Sequence, residues 1–522
     1  MTEPATPPTM RSVSGFGAIP PDVLPFKAAS CVFDLCQFQS YISIKDQMLR
    51  AHMIAAWLHS SGVLGHGVDR VLVVGGGVAG VCAAALIAEY GATTSGSVEV
   101  TLVDERSDLF SAQEACDTRY VSLTQFDWPA AHYDVHAWPN ANDIFQANVT
   151  SGKTSFRLTV PQRPTRASDL VKQWRQDFAA WNGTTPVKVQ WKPRTTAKLP
   201  LTPPTHAPAT VRMTSEASAL ESHHEFDLVI MAGGFSRETI PKIAGVKIGK
   251  EFWEHDEYAN PAANHAGKDF AIVGNGDGAL QDFLRLLCHP HVKSASAIVD
   301  HIRSQFLLPA HVVAPWLSAY SHHGASPLFP TQGQVVATNI PQQEAWLRLL
   351  SDLADIDRQS ALAAPWDSHS TRGMDDLQAD VELVVRRFAS NHAGFLVPAI
   401  DSVLRQPADA LGSITLIARN ESPTKCYMLN RFLFTLIKWR LTSGPATRPL
   451  PRCAFIQESV DVSQLSARGG RYHLSLSEPV HFDELIWRVG IGPARPVSMV
   501  DGLRVAIGRH ALPFYPPDRF RR

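Results

Sequence analysis

Apolar residues recur at helical spacing between positions 44 and 59: Ile44, Met48, Ala51, Ala55 and Leu58 share a face, and Gly62 follows as a stop. That pattern predicts a helix. The next run, VLVV at 71–74, is continuous rather than alternating and reads as a strand buried on both faces. The same rhythm recurs along the chain. A helix is expected from Asp169 to Trp181, a strand VKVQW at 187–191, and a strand FDLVIMAGG at 226–234 ending in a glycine pair. A second strand–helix unit starts at Asp269, with the following strand expected at SASAIVD, ending on Asp300. Residues 301–410 differ, carrying helical patterns such as EAWLRLLSDLA and DLQADVELVVRRFA between loops rich in His, Ser and Pro. Strand ITLIAR at 414–419, an apolar helix over 427–439, and strands AFIQESV, RYHLSLS and FDELIWRVG complete the chain. Residues 193–208 read as a surface loop or hairpin insertion, and residues 1–30 as a tail rich in Pro, Thr and Ser.

One stretch imitates a membrane span, the uncharged VLVVGGGVAGVCAAALIA at 71–88. It is barely long enough to cross a bilayer, and three consecutive glycines interrupt its first third. A strand, a glycine turn and a small-residue helix account for it, so no span is expected. Composition narrows the class further. The 522 residues carry 48 Lys and Arg against 49 Asp and Glu, so no basic field makes nucleic acid a default partner. The seven cysteines are scattered without a C-x-x-C pair, which suggests reduced thiols and a cytoplasmic home. The N-terminus shows no secretory signal. The His132/His136 and His322–His323 pairs lack a confident helix and a matching carboxylate, so no metal site is expected.

Two motifs carry chemistry. The first is Gly75-x-Gly77-x-x-Gly80, preceded by a strand and opening a helix. Gly75 allows the tight turn, Gly77 lets the backbone approach a pyrophosphate, and Gly80 lets helix and strand pack closely. The helix N-terminus offers unpaired N–H groups to phosphate. The next strand, VEVTLV, ends at Asp104, where a carboxylate can bind ribose hydroxyls; strand alternation turns Glu105 the other way. The second is Gly274-x-Gly276-x-x-Ala279, again after a strand. Asp300, placed at the end of the expected next strand, would favour NADH, and Arg303 nearby would soften that preference. A Gly-rich turn without ligand is the competing reading, more so at the second motif.

These residues in this order resemble the two-dinucleotide-binding-domain flavoproteins, which include thioredoxin and ferredoxin reductases and the flavin-dependent monooxygenases. Ala232-Gly233-Gly234 and PKIAG at 241–245 are similar to the turn joining the two domains in that family, and GNGDGALQD to its second glycine run. The resemblance covers about 69–300 and 411–495, in pieces. It implies an α/β fold of tandem Rossmann-like three-layer dinucleotide-binding domains with a mainly helical insertion. The expected divisions are 1–68 as tail and helix, 69–240 for FAD, 241–300 with 411–495 for NAD(P), 301–410 as a helical insertion with a possible substrate region, and 496–522 as a C-terminal segment. It further implies FAD, with NADH or NADPH as donor. Gly75, Gly77, Gly80, Asp104, Arg119, Val189 and Gly233 are candidates for the first site; Gly274, Gly276, Ala279 and Asp300 are candidates for the second.

The aromatic stretch 110–139, with Arg119, Tyr120, Gln125 and Trp128, is placed by the resemblance near the flavin ring or, alternatively, forms an ordered loop with buried tryptophan. Cys31 and Cys36 precede the first motif instead of following it, so dithiol chemistry is not expected. No Gly-Asp turn of the flavin-binding kind occurs near the C-terminus, where Asp501-Gly502 stand in reverse order. The expectation is an FAD-dependent oxidoreductase, monooxygenase-like, on a small-molecule substrate, with no catalytic residue assigned. The alternatives are a reductase passing electrons to a quinone or protein, and a non-enzymatic nucleotide-binding scaffold or sensor.

Overall fold

The computed structural model describes most of residues 19–489. The longer stretches outside that description are 1–18, 37–42, 130–136, 139–155, 200–207, 235–237, 259–264, 306–340, 364–370, 406–410, 445–447 and 490–522. His132, His136, His322, His323 and Asp501-Gly502 lie outside the described residues, as does most of the expected N-terminal tail.

Two sheets organise the described chain. The first has six strands in the spatial order Lys27–Ala29, Val32–Asp34, Leu228–Met231, Arg70–Val74, Glu99–Val103 and Val189–Lys192, parallel throughout except for the first pair. Alternation along these short strands divides their side chains between two cores. Val71, Val73, Val100, Leu102 and Ile230 pack under the helices Ile44–Ser60, Val78–Gly91 and Ala167–Thr184. Leu72, Val74, Val103, Val229 and Met231 face an antiparallel meander of Thr195–Lys198, Ala209–Ser215 and Glu221–Phe226. Helices, sheet and meander make three layers. Of the two readings of 193–208, surface loop or hairpin insertion, the hairpin is observed: Thr195–Lys198 pairs antiparallel with Ala209–Ser215.

The second lobe repeats the plan. Its sheet orders Cys453–Gln457, Ser413–Ala418, Asp269–Val273 and Glu484–Trp487, all parallel. Phe270, Ile272, Ile414, Leu416 and Ile486 face the helical side. Ala271, Val273, Ile417, Leu485 and Trp487 face a second meander, Leu465–Arg468, Arg471–Leu474 and Val480–Phe482. The uncharged run at 71–88 is strand, turn and helix, and no helix among the described residues is long and apolar enough to cross a membrane.

The expected strand at 294–300 is a helix, Ala295–Gln305. Ile298, Val299 and Ile302 are buried at helical spacing, and the Ser294 hydroxyl accepts from the Ala297 N–H at 3.1 Å at its start. A short apolar run reads alike in either state, and here the helical face found a core to cover. This helix is followed by Pro341–Ala363, Thr371–Asn391 and Ala393–Val403 before the chain returns to the sheet at Ser413.

Candidate functional site

The first glycine turn sits at the C-terminal edge of the first sheet, where parallel α/β sheets bind ligands. Gly75 has φ +117°, and a Cβ there would fall well inside contact distance of the Ala232 carbonyl oxygen. A Cβ on Gly80 would strike the Gly75 carbonyl, so both positions need glycine for protein packing. Gly77 is different. Its φ of −77° suits any residue, and no protein atom lies within 4 Å of where its Cβ would stand. The room it leaves is on the mouth of the turn, at the N-terminus of Val78–Gly91, where no side chain caps the helix and no acid occupies the first turn. That opening matches what a pyrophosphate needs.

Asp104 follows the Glu99–Val103 strand and braces this turn. Its Oδ2 accepts from the Gly76 N–H at 2.5 Å and its Oδ1 from the Arg106 N–H at 2.7 Å. Glu105 is exposed. Gly233 and Gly234 close the neighbouring strand with nothing within 4 Å of either Cβ position, and Gly234 has φ +90°. The same edge holds an acid that the sequence reading did not single out. Val32–Asp34 lies parallel beside Val229–Met231 with Asp34 opposite Met231. The Asp34 carboxylate accepts from the Cys36 N–H at 2.8 Å, and burial pushes its pKa up. One edge thus gathers Asp34, Gly75–Gly77, Asp104 and Gly233–Gly234.

The second turn has the same backbone form. Gly274 has φ +123°, and its Cβ would clash with the Arg488 carbonyl oxygen. Gly276 is the N-cap of Asp277–Leu287, and Ala279 is wholly buried. Asn275 donates through Nδ2 to the carbonyls of Asn420 at 2.9 Å and Ser422 at 2.7 Å, tying the turn to the loop after Ser413–Ala418. Asp277 turns inward, accepting at Oδ1 from the Tyr427 N–H at 2.9 Å and Asn430 Nδ2 at 2.8 Å. Burial pushes its pKa up to about 7, against the pull of these donors and of Arg431.

Three expected site residues stand elsewhere. Asp300 is on the Ala295–Gln305 helix, paired with Arg303 at 3.0 Å. The strand that pairs with Asp269–Val273 is Ser413–Ala418, so the residue just past the second strand is Arg419, which is exposed. Arg119 is buried away from the glycine turn, against Asp256 at 3.3 Å and Asp282 at 2.8 Å. Its charge is met there by two carboxylates. Val189 gives its outward backbone to Asn182, whose Oδ1 accepts from the Val189 N–H at 2.8 Å and whose Nδ2 donates to the Val189 carbonyl at 3.1 Å. In the aromatic stretch, Trp128 packs on Phe432 with ring centroids 4.7 Å apart and Phe126 lies 5.5 Å from Tyr427. Trp128 of that stretch is buried, and 130–136 and 139 lie outside the described residues.

No protein-family model matches the chain, and no curated protein matches it. Among solved structures it is similar to the ornithine N-hydroxylase of Kutzneria sp. 744, at 11% identity and TM-score 0.32 over 83% of each chain. It is similar to an ornithine hydroxylase from Pseudomonas aeruginosa at 12% identity and TM-score 0.33, covering 85% of this chain and 88% of that one. A cyclohexanone monooxygenase with ε-caprolactone bound gives 9% identity and TM-score 0.36, covering 83% and 75%. Likeness of this order says nothing about activity. The chemistry has to be read from the two turns themselves.

Proposed function

We propose that the protein is an FAD-dependent oxidoreductase that takes its electrons from a reduced nicotinamide dinucleotide and acts, as a monooxygenase, on a small molecule. One observation carries the reading: two glycine turns of the same backbone form stand at the C-terminal edges of two parallel sheets in one chain, and the first leaves its mouth open at Gly77. FAD would lie on the first turn, its pyrophosphate over Gly77 and the N–H groups of Val78–Gly91, and its ribose hydroxyls toward Asp104. Asp34, at the end of the parallel strand beyond Gly233, is the acid placed to accept from hydroxyls farther along the ligand. When bound, flavin supplies a two-electron acceptor for hydride and a partner for oxygen.

The nicotinamide dinucleotide would lie on the Gly274–Gly276 turn. Arg419 stands where a carboxylate would select NAD and where an arginine suits a 2′-phosphate. With Asp300 removed from that place, NADPH becomes the favoured donor. All seven cysteines are free, and six are buried. Cys36 lies at the cofactor edge, but its Sγ accepts from the Gly234 N–H at 3.0 Å and burial pushes its pKa well up, so it is a packing thiol and no thiolate nucleophile. Electrons then pass to oxygen in preference to a dithiol. Free, mostly buried thiols also suit a reducing compartment such as the cytoplasm.

The test is the absorption spectrum of the purified protein, with and without added FAD, followed by anaerobic titration with NADPH and NADH. Flavin absorbance bleached by NADPH, and oxygen consumption matched by hydroxylated product, are expected. A colourless protein that binds no FAD would overturn the reading.

A further inference from the structure

We propose that the loop 116–128 and Tyr427 form a clasp that holds the two lobes at one fixed angle, making them the positioning device that sets the spacing between the two glycine turns. The consequence for electron transfer rests on the oxidoreductase reading; the clasp itself does not.

Three independent contacts cross between the lobes. The first is a buried ionic cluster. Arg119 reaches from the first lobe to Asp282 on the second glycine helix and to Asp256 in the connecting segment. Arg285 joins the same two acids, Asp256 at 2.6 Å and Asp282 at 3.0 Å. Arg488 meets Asp282 at 2.9 Å and Glu238 at 3.1 Å. Three arginines face three carboxylates, so the charges balance. The Phe252 ring lies under the Arg119 guanidinium at 3.9 Å and within 5.8 Å of that of Arg488. Burial opposes the ionised form of Asp282, yet Arg119, Arg488 and Arg285 together hold its pKa well below the usual range.

The second contact is an exchange of aromatic residues. Trp128 leaves the first lobe and is buried in the core of the second, stacked on Phe432. Tyr427 leaves the second lobe and is buried in the core of the first, beside Phe126. Its phenol donates to Asp46, in the first turn of Ile44–Ser60. The third contact is a buried hydrogen bond of 2.9 Å between the hydroxyls of Ser122 and Ser296.

Lobes joined by a modest polar surface are expected to move against one another. Here a rotation would pull one aromatic out of each core while separating charges that have no water to turn to, and a partial movement would strand buried charge. The arrangement therefore favours one position over a continuum. The clasp residue Tyr427 and the ion-cluster residue Arg488 also touch the second turn directly. The Arg488 carbonyl abuts Gly274, and the Tyr427 N–H holds Asp277. A nucleotide on that turn is thus presented to the first site at a set distance, without lobe rotation.

Distance measurement between spin labels tests this without any cofactor. Lys172→Cys on the first lobe and Glu478→Cys on the second are exposed sites, while the native thiols are buried or, at Cys453, partly so. The expected result is one narrow distance distribution that NADP+ does not move. Arg119→Met should broaden it about twofold, as expected when one position gives way to several. In the same variant anaerobic flavin reduction by NADPH should slow about tenfold, since reaction rates fall steeply with misplacement, while reduction by dithionite is unchanged. A broad or nucleotide-shifted distribution in the parent protein would overturn the clasp, and so would a folded Arg119→Met protein with the narrow distribution intact. Should that variant fail to fold, the parent measurement decides alone. A colourless protein would end the oxidoreductase reading and leave the distances to be read as before.

Discussion

The two glycine turns share a backbone and differ in everything around it. Each has a first glycine at positive φ pressed against a carbonyl from the neighbouring strand, Ala232 in one and Arg488 in the other. The first turn opens a helix of small apolar residues with no acid in its first turn, and Gly77 looks onto empty space. The second opens a helix that begins with a half-buried aspartate, has the Phe252 ring 3.2 Å from where a Cβ on Gly278 would stand, and is tied by Asn275 to the following loop. The glycine pattern thus identifies a fold element. What surrounds it decides whether the turn is an open cradle or part of the joint between lobes.

The comparison can be broken most sharply at Gly274. A Cβ there meets the Arg488 carbonyl, and Arg488 cannot retreat because its side chain is held by Asp282, Glu238 and the Lys250 carbonyl. Gly274→Ala should therefore destabilise the protein by about 3–5 kcal/mol, combining overpacking with strain at positive φ. A lowered melting temperature, or loss of soluble protein, is the measurement. Unchanged melting would mean that the second turn is slack.

Gly77→Val separates cradle from scaffold at the first turn. With no protein atom near its Cβ position and an ordinary φ, the variant should melt as the parent does. Its side chain would fill the room assigned to pyrophosphate, so FAD affinity should fall by at least tenfold, a loss of about 1.4 kcal/mol or more. Full flavin content after purification would remove FAD from this turn.

Arg419→Ala sharpens the assignment at the second turn. The guanidinium is exposed and follows the Ser413–Ala418 strand. Loss of a charge-assisted contact to a 2′-phosphate should raise KM for NADPH by roughly tenfold and leave that for NADH nearly unchanged. Equal effects on both donors would place the nucleotide elsewhere.

Much of this was legible in local spacing. The strand at 71–74, its glycines and its helix are contiguous, and so are those of the second unit, because each needs only neighbours in sequence to declare itself. Long-range pairing was not legible. Asp300 was misplaced because a run of seven residues has no helix or strand signature of its own, and the true second strand lies beyond three further helices among the described residues. Asp34 was missed because a three-residue strand before the first motif shows no period, and its partner is Met231, far along the chain. Arg119 invites a phosphate reading as any arginine near a nucleotide motif does; only the fold reveals that acids from two other segments have claimed it.

The smallest expected effect tests whether Asp277 belongs to the joint. Its pKa, raised by burial to about 7, makes the folded state hold a proton that the unfolded chain releases near the ordinary aspartate range. Stability from that proton is complete below the unfolded pKa and is lost as pH rises toward the folded one. Asn in its place offers the same acceptor to the Tyr427 N–H and cannot ionise. Asp277→Asn should then gain on the parent as pH rises from about 5 to about 8, by about 1 kcal/mol. A shift to about 7 would be worth about 3 kcal/mol over that range for a carboxyl sealed from water, and the half-buried position of Asp277, where solvent screens its charge, cuts the gain to about 1 kcal/mol. Melting curves of both proteins across that range are the measurement. A difference that stays flat with pH would show that Asp277 remains ionised and solvated, and that the second turn is as open as the first.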